Sequence, residues 1–301
     1  MDEITIGDVT ITRVKEFYGS VEMTPAEFLP ESPEGSWDEH RGWLAPDFWN
    51  PETDECHSAI QSWLLRSEGR TILVDTGVGN HKDRPYAAVW NRLDTPYLDN
   101  LAAAGVRPED VDVVVNTHLH IDHVGWNTRL EGRHWVPTFP NATYLMPKRD
   151  FEFWDPANEH KSVLGRGNQN VFEDSVVPVH EAGLARLWDG THRIDRNLRL
   201  DLAAGHTPGS SVLTLESGGE HAVFVGDLAH SALQIVEPDT NSAFCEDPAE
   251  SRATRHKVLG RAADNNALVF PAHFGAQGAL RVERRGPKFA IKEWAGFSRL
   301  S

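Results

Sequence analysis

The residues with the clearest chemistry lie in one short segment, Asn116–Gly125, which reads NTHLHIDHVG. Residues two apart in an extended segment point to the same side, so His118 and His120 can reach one metal ion together. If the chain then turns into a helix, Asp122 and His123 come to lie at a neighbouring position. Imidazole and carboxylate groups at this spacing favour zinc and related divalent ions.

The chain has 15 histidines, and a single histidine is more often a core or surface residue than a metal ligand. Three histidines and one aspartate within six residues, directly after the apolar run Val111–Val115, indicate a metal site instead. Histidines outside such segments are interpreted as surface or structural residues; these are His134, His160, His180, His192, His221 and His256.

Three further candidate ligands also follow short apolar runs, as expected when a site forms at strand ends of an α/β sheet. They are His206 in AGHTPGS, Asp227 in FVGDL and His273 in FPAHF. Glycine or proline flanks each of them, which suits a sharp turn that exposes a side chain. Asp75 ends the similar segment ILVDTG, and it either holds the ligand loop through hydrogen bonds or simply ends a strand.

Short runs rich in valine, isoleucine and leucine predict the strands that must position these residues. The predicted strands are Val9–Val14, Ser58–Leu65, Thr71–Val74, Val111–Val115, Thr143–Met146, Leu198–Leu202, Ser211–Leu215, Ala222–Val225 and Ala267–Phe270. Helices are predicted over Pro96–Ala104, Pro147–Phe153 and Pro248–Asp264. Strand blocks at both ends with helices between them indicate a layered α/β protein.

Two irregular stretches, near residues 22–54 and 126–170, are expected to be insertions in a single domain spanning 1–301. Their clearest parts, Glu22–Asp54 and Trp126–Asn141, are interpreted either as substrate walls and lids or as packed surface loops. Some aromatic side chains are candidates for a pocket wall, although such residues are more often core. They are Trp126, Trp135, Phe139, Phe151, Phe153, Trp154 and Phe274.

Composition limits the function classes. The formal net charge is −16, and a field of that sign repels phosphate backbones, so nucleic acid is not the expected partner. No apolar run approaches the roughly 18 residues of a membrane span, and the N-terminal residues lack the pattern of a signal peptide. Cys56 and Cys245 form neither a metal nor a disulfide framework. A cytoplasmic protein without membrane contact is therefore expected.

The order of these motifs resembles that of the metallo-β-lactamase superfamily, over roughly Thr71 to Phe274. The resemblance implies an α/β fold, a four-layer αββα sandwich with two metal ions at one edge of the sheets. It implies one ion on His118, His120 and His206, a second on Asp122, His123 and His273, and Asp227 bridging the two. Zn²⁺ is the expected metal, with Mn²⁺, Co²⁺ and Fe²⁺ as alternatives.

Two ions roughly 3.5–4 Å apart can hold a bridging hydroxide, because each lowers the pKa of the shared water. The expected reaction is the opening of a lactone, or the cleavage of a carboxylic ester, by attack of this hydroxide. Asp122 is also a predicted catalytic residue, which takes the proton as the tetrahedral intermediate collapses.

Within the superfamily, the chain is most similar to the N-acyl homoserine lactonases and the methyl-parathion-type hydrolases. This similarity implies a small-molecule lactone or ester substrate, a quorum-quenching role and a homodimer. The chain departs from the lactonase pattern at one position, because the tyrosine expected three residues after the bridging aspartate is His230 here. His230 is predicted either to donate a hydrogen bond or proton during catalysis or to be a surface residue.

Other reactions are possible on the same constellation. A phosphotriester or a β-lactam would suit the same two ions, and an iron-dependent oxidoreductase would use the same fold. A nuclease is opposed by the net charge of −16. A non-catalytic binding protein is opposed by the complete set of ligands.

Overall fold

The computed structural model describes residues 3–300, which form two large β-sheets and one small one. In chain order the strands are β1 (Glu3–Ile6), β2 (Val9–Ser20), β3 (Trp49–Asn50), β4 (Glu55–Ser67), β5 (Arg70–Val74), β6 (Val113–Val115), β7 (Thr128–Glu131), β8 (His134–Pro137), β9 (Thr143–Pro147), β10 (Ala185–Trp188), β11 (Thr191–Arg193), β12 (Leu198–Leu202), β13 (Ser211–Ser217), β14 (Glu220–Gly226), β15 (Leu268–Pro271), β16 (Leu280–Arg285) and β17 (Lys288–Trp294).

The first large sheet has the strand order β1-β2-β4-β5-β6-β9-β10, and β3 pairs with one end of β4. Its second half is parallel, because β5, β6, β9 and β10 all run in one direction. The second large sheet follows chain order from β11 to β17, and only the β14–β15 pair in it is parallel. Strands β7 and β8 form a separate antiparallel hairpin.

The helices are short apart from the last one. They are α1 (Pro25–Phe28), α2 (Ser36–Glu39), α3 (Arg41–Leu44), α4 (Tyr97–Ala103), α5 (Lys148–Trp154), α6 (Val177–Glu181), α7 (Leu233–Val236) and α8 (Pro248–Asp264). Single 3-10 turns lie at Ala88–Trp90, Pro108–Asp110, Gly125–Asn127 and Pro156–Asn158, and a π-helical turn at Phe172–Val176. None of the helices between residues 3 and 300 has the length and apolar character needed to cross a membrane.

The three valines of β6 show how the layers are built. Val113 and Val115 pack into the core between the two large sheets, whereas Val114 packs on the opposite face against α4 and the π-helical turn. A parallel strand covered on both faces carries a continuous apolar run of this kind. The outer face of the second sheet is covered in the same way by α7 and α8. The result is the predicted four-layer αββα sandwich.

Every predicted strand coincides with an observed one, and the three predicted helices are present as α4, α5 and α8. The short apolar runs were sufficient to identify these strands. At the start of α8, Asp247 caps the helix by accepting the backbone N–H of Glu250. The prediction omitted strands with a polar or exposed face, namely β1, β3, β7, β8, β10, β11, β16 and β17.

The two irregular stretches contain short ordered elements. Residues 22–54 form α1, α2 and α3, and they bury Phe28, Leu44 and Phe48 against the outer face of the second sheet. Residues 126–141 contain the β7–β8 hairpin. Helices of one turn are too short to show a hydrophobic period, which explains why the sequence predicted irregular loops here.

A buried carboxylate on β2 fixes the turn that follows β5. Glu16 accepts the backbone N–H groups of Val78 (2.6 Å) and Gly79 (3.0 Å) and the indole N–H of Trp126 (2.6 Å). Gly77 must be glycine here, because it has a φ of +59° and an added Cβ would lie 1.9 Å from Glu16 Oε2. Burial raises the pKa of Glu16 to about 7, although these hydrogen bonds lower it in part.

We expect Glu16 to make stability depend on pH. Its folded pKa of about 7 lies above the ordinary value of 4.5, so its contribution is present below pH 4.5 and is lost as pH rises through 7. The unfolding free energy of the wild type, minus that of Glu16→Gln, should fall by about 3 kcal/mol over this range. Urea titrations of both metal-free proteins from pH 4.5 to 8 measure the difference, and a difference independent of pH would refute the prediction.

Candidate metal centre

The seven predicted ligands converge where strands of both large sheets end. His118, His120, Asp122 and His123 follow β6, while Asp227 follows β14, His273 follows β15 and His206 lies in the turn between β12 and β13. All seven side chains are buried. The segment after His120 does not become a regular helix; it forms turns that lead into the 3-10 turn at Gly125–Asn127.

Asp227 lies at the middle of this group, and its two oxygens face different histidines. Its Oδ2 atom is 3.1 Å from His206 Nε2 and 3.5 Å from His118 Nε2. Its Oδ1 atom is 3.0 Å from His123 Nε2 and 2.9 Å from His273 Nε2. One carboxylate oxygen therefore belongs to each half of the predicted ligand set, as a bridging ligand requires.

The remaining two ligands complete the two halves. His120 Nδ1 lies 3.0 Å from His206 Nε2. Asp122 lies on the other side, with one oxygen 3.7 Å from His123 Nε2 and the other 3.5 Å from His273 Nε2. In each set, His118–His120–His206–Asp227 and Asp122–His123–His273, the donor atoms lie within 4.8 Å of one another.

Four of the imidazole rings are oriented by contacts on the side that faces away from Asp227. In each of them Nε2 faces Asp227, and Nδ1 contacts a hydrogen-bonding group outside the centre, which determines the ring nitrogen available to a metal. The outer contacts are His118 with Thr117 Oγ1 (3.1 Å), His123 with Asp75 Oδ2 (2.9 Å), His273 with the carbonyl oxygen of Ala59 (3.0 Å) and His206 with Cys245 Sγ (3.8 Å).

Asp75 holds the ligand loop, which is the first of the two interpretations given above. Besides the contact with His123, it accepts the backbone N–H of Thr117 at 2.7 Å and the Thr117 hydroxyl at 2.8 Å. Its backbone has a φ of +57°, a left-handed conformation that aspartate tolerates better than most residues. A simple strand-ending turn would not need this set of contacts.

The residues present fit a pair of divalent cations. Among the described residues, the Nε2 atoms of His118, His120 and His123 are buried without a hydrogen-bond partner, which is costly unless another group binds them. Burial raises the pKa of Asp227, but His123 and His273 outweigh this effect and hold that pKa well below its usual value. An ionised carboxylate surrounded by buried imidazoles is a donor set that suits zinc and similar ions.

A family model described as the metallo-beta-lactamase superfamily matches residues 58–273. The chain belongs to this superfamily. The match includes all seven predicted ligands, and it confirms the resemblance and the fold inferred from the motifs.

The curated relatives of this chain include both a lactonase and a ribonuclease. The N-acyl homoserine lactonase AttM of Azorhizobium caulinodans is 37% identical over 149 residues, which are 40% of this chain and 53% of that protein. The endoribonuclease YSH1 of Saccharomyces cerevisiae is 23% identical over 217 residues, 66% of this chain and 25% of that protein. The chain thus spans only a quarter to about half of these curated relatives.

Two solved structures share the whole fold of this superfamily member. A hydrolase of the beta-lactamase superfamily, AbOPH, has a TM-score of 0.80 at 25% identity, and the match covers 98% of both chains. AidC, a dizinc quorum-quenching lactonase solved with a product, has a TM-score of 0.77 at 24% identity, covering 99% of this chain and 98% of its own. The predicted fold class is therefore confirmed over nearly the full length of the chain.

In this metallo-β-lactamase superfamily protein, His230 is a buried residue beside the metal centre and not a surface residue. Its Nε2 atom is 3.2 Å from Asp227 Oδ2, and its ring stacks on His273 with centroids 5.4 Å apart. Neither ring nitrogen has a hydrogen-bond partner among the described residues. Burial lowers the pKa of His230 to about 3, so the ring is neutral near pH 7.

A cavity of about 450 Å³ opens above the centre, and His120, Asp122, His206, Asp227, His230 and His273 contribute to its lining. Most of its wall is apolar, and includes Met23, Phe28, Trp90, Ile121, Leu164 and Phe244. Among the described residues no lysine or arginine lines it. The chain thus combines a polar, metal-binding floor with an apolar wall.

The aromatic residues that line the cavity are not those the sequence suggested. None of the seven candidates contributes to its wall; Trp126, for example, is in the core and stacks on Tyr97 at 5.3 Å. Phe28 lies in residues 22–54, a stretch predicted as a possible wall, whereas residues 126–141 contribute nothing to the lining. Trp90 and Phe244 lie in segments without periodic pattern, so no sequence signal identified them.

We expect Asp75→Asn to weaken metal binding without unfolding the chain. The amide keeps the size of the carboxylate, but it cannot accept from both Thr117 and His123, so affinity should fall on the order of 10–100-fold. Titration against a chromogenic chelator measures this change. Asp112→Asn is the matched control. Asp112 lies just before β6 and also accepts a backbone N–H, that of Thr71, but it contacts none of the predicted ligands. Equal affinities in the two variants would contradict the prediction.

Proposed function

We propose that this protein is a dinuclear-metal hydrolase that opens lactones or cleaves carboxylic esters carrying an apolar group. The observation that carries the proposal is the complete set of seven ligands on the floor of an apolar cavity. The relationship to a named N-acyl homoserine lactonase, at 37% identity over 149 residues, supports a lactone as the first substrate class to test.

The cavity favours a neutral small molecule over a nucleic acid. Proteins that bind phosphate backbones use lysine and arginine contacts, and among the described residues the cavity wall has neither. The net charge of −16 acts in the same direction. The ribonuclease relative matches over only 25% of its own length and at 23% identity, so it supports the shared fold more than a shared substrate.

Two ions would be held by His118, His120 and His206 and by Asp122, His123 and His273, with Asp227 shared. When bound, such ions supply Lewis-acid activation of a carbonyl and an acidified water. The histidine-rich donor set favours zinc. The contribution of the chain itself is to fix these ligands, to exclude bulk water and to move protons.

Asp122 and His230 are the residues of this chain proposed to take part in proton transfer and hydrogen bonding. Asp122 borders the cavity, which supports the proposal that its carboxylate takes a proton from the attacking water and returns it to the leaving oxygen. His230 also faces the cavity, and as a neutral imidazole it can donate one N–H to an oxygen of the substrate. The neutral form suits this role, because its donation does not depend on pH near 7.

Removal of metal should abolish activity, and zinc should restore it. We expect the restored protein to turn over acyl homoserine lactones, simple lactones or aryl esters faster than a phosphotriester or a chromogenic β-lactam, because a relative at 37% identity is a named lactonase and most of the cavity wall is apolar. His120→Ala should lose this activity, and His134→Gln, at an exposed histidine, should keep it. Faster turnover of the phosphotriester or β-lactam would overturn the substrate class, and iron retention with oxygen uptake would favour the redox alternative.

Replacement of His230 should slow the reaction without removing metal. His230→Phe keeps a buried ring but loses both nitrogens, so kcat/KM for the best lactone or ester should fall about 10²-fold. His230→Gln keeps an N–H donor and should recover part of the loss. Steady-state kinetics and metal analysis on the same samples test this role; a loss of bound metal in His230→Phe would identify His230 as a ligand instead.

A further inference from the structure

A second buried carboxylate contacts the ligand loops from a helix that carries no ligand. Asp150 lies in the first turn of α5, and its side chain is fully buried. Its Oδ2 atom accepts the backbone N–H of Leu119 and the hydroxyl of Thr207, both at 2.9 Å. Its Oδ1 atom accepts the backbone N–H of Gly209 at 2.6 Å. Asp150 is not among the predicted metal ligands or catalytic residues, and it does not line the cavity.

The positions of the three donors decide what Asp150 can do. The Leu119 peptide lies between His118 and His120, and Thr207 and Gly209 follow His206 within three residues. These histidines are the three that face the same half of the metal centre. One carboxylate therefore fixes two loops that are more than 80 residues apart in the chain, and it joins them where their ligands must meet.

The close packing around Asp150 indicates that these contacts are specific. An added Cβ at Gly209 would lie 2.6 Å from Asp150 Oδ1 and 2.7 Å from its backbone nitrogen, so only glycine allows this approach. The Leu119 peptide is also held from its other side, because Asn168 Nδ2 donates to its carbonyl oxygen at 3.1 Å. Leu119, the residue between the two ligands, is thus fixed at both its N–H and its C=O.

The other half of the centre is held by different groups. His123 is oriented by Asp75, and His273 by the carbonyl oxygen of Ala59. Asp150 has no hydrogen bond to either of these ligands or to the residues beside them among the described part of the chain. Its influence should therefore be confined to one of the two ions.

We propose that Asp150 is a positioning residue for the ion bound by His118, His120 and His206, and that it does not act on the other ion. This inference rests on the proposed metal centre. Asp150 contacts neither substrate nor ion; it acts through the backbone of the two loops. Without the Asp150 carboxylate, the two loops would be less firmly held together. The ion would then have to order its three ligands itself, and this entropic cost would reduce the affinity for that ion.

The test is the affinity for zinc at each half of the centre, measured by competition with a chromogenic chelator. In Asp150→Asn we expect one of the two ions to bind on the order of 10–100-fold more weakly, with the other unchanged. Cobalt absorption spectra of His120→Ala and His273→Ala provide references for loss at each half. Asp195→Asn is the matched control, because Asp195 is also buried and accepts two backbone N–H groups, from Asn197 and Leu198.

A purely structural role predicts a different pattern. It would lower the stability of metal-free Asp150→Asn and leave both zinc affinities at wild-type values, an outcome that overturns the inference. Thr207→Val removes one of the three donors and should reduce the affinity for the same ion by a smaller factor. This variant tests the inference if Asp150→Asn does not fold. A wild-type protein that binds no zinc would overturn the metal centre itself, whereas equal losses at both halves would overturn only the selectivity of Asp150.

Discussion

The centre of this protein depends on the attraction between one buried carboxylate and the imidazoles around it. Asp227 is buried, yet histidines from two other strand-end loops, together with the neighbouring His230, hold its pKa well below the usual value and keep it ionised. Each of its two oxygens contacts a different half of the ligand set. A group of buried histidines would repel one another when protonated and would be poorly solvated when neutral, so the carboxylate is the element that makes their convergence tolerable.

That convergence limits the rest of the fold. The strand ends that carry the ligands belong to two different sheets, so the sheets must face each other with these ends at one edge. The core between the sheets fixes their separation through apolar contacts such as Trp63 with Phe270, whose ring centroids are 5.0 Å apart. Buried carboxylates at Glu16, Asp75 and Asp150 then fix the loops that leave the strands. Apolar packing determines the architecture, and buried hydrogen bonds determine the local geometry.

The sequence was most informative where one physical requirement acts on adjacent residues. The strands next to the centre are buried on both faces, and their valine-rich runs were recognisable without any tertiary information. The predicted ligands lie after such runs, so four of them could be proposed from their spacing and the other three from their position at strand ends. Asp75 was identifiable for the same reason, because it ends such a run.

Features that depend on contacts between distant segments could not be predicted in this way. Asp150 lies in an ordinary amphipathic helix, and its partners Leu119 and Gly209 become neighbours only in the folded chain. The cavity wall has the same origin, since Phe28 and Phe244 come from separate segments and meet at a 5.8 Å ring contact. Strand β16 and the edge strand β17 carry many charged residues, and their pairing with each other, not an apolar alternation, defines them.

The division of the ligands between the two sheets has a mechanical consequence. Four of them leave the first sheet at residues 118–123, and three leave the second sheet at residues 206, 227 and 273. Ions shared between these groups would act as cross-links that close long loops of the chain, and the entropy lost on closing such loops changes only slowly with their length. Sliding of one sheet over the other would then require bonds to metal to break, so the sandwich would resist shear most strongly at the edge that carries the cavity.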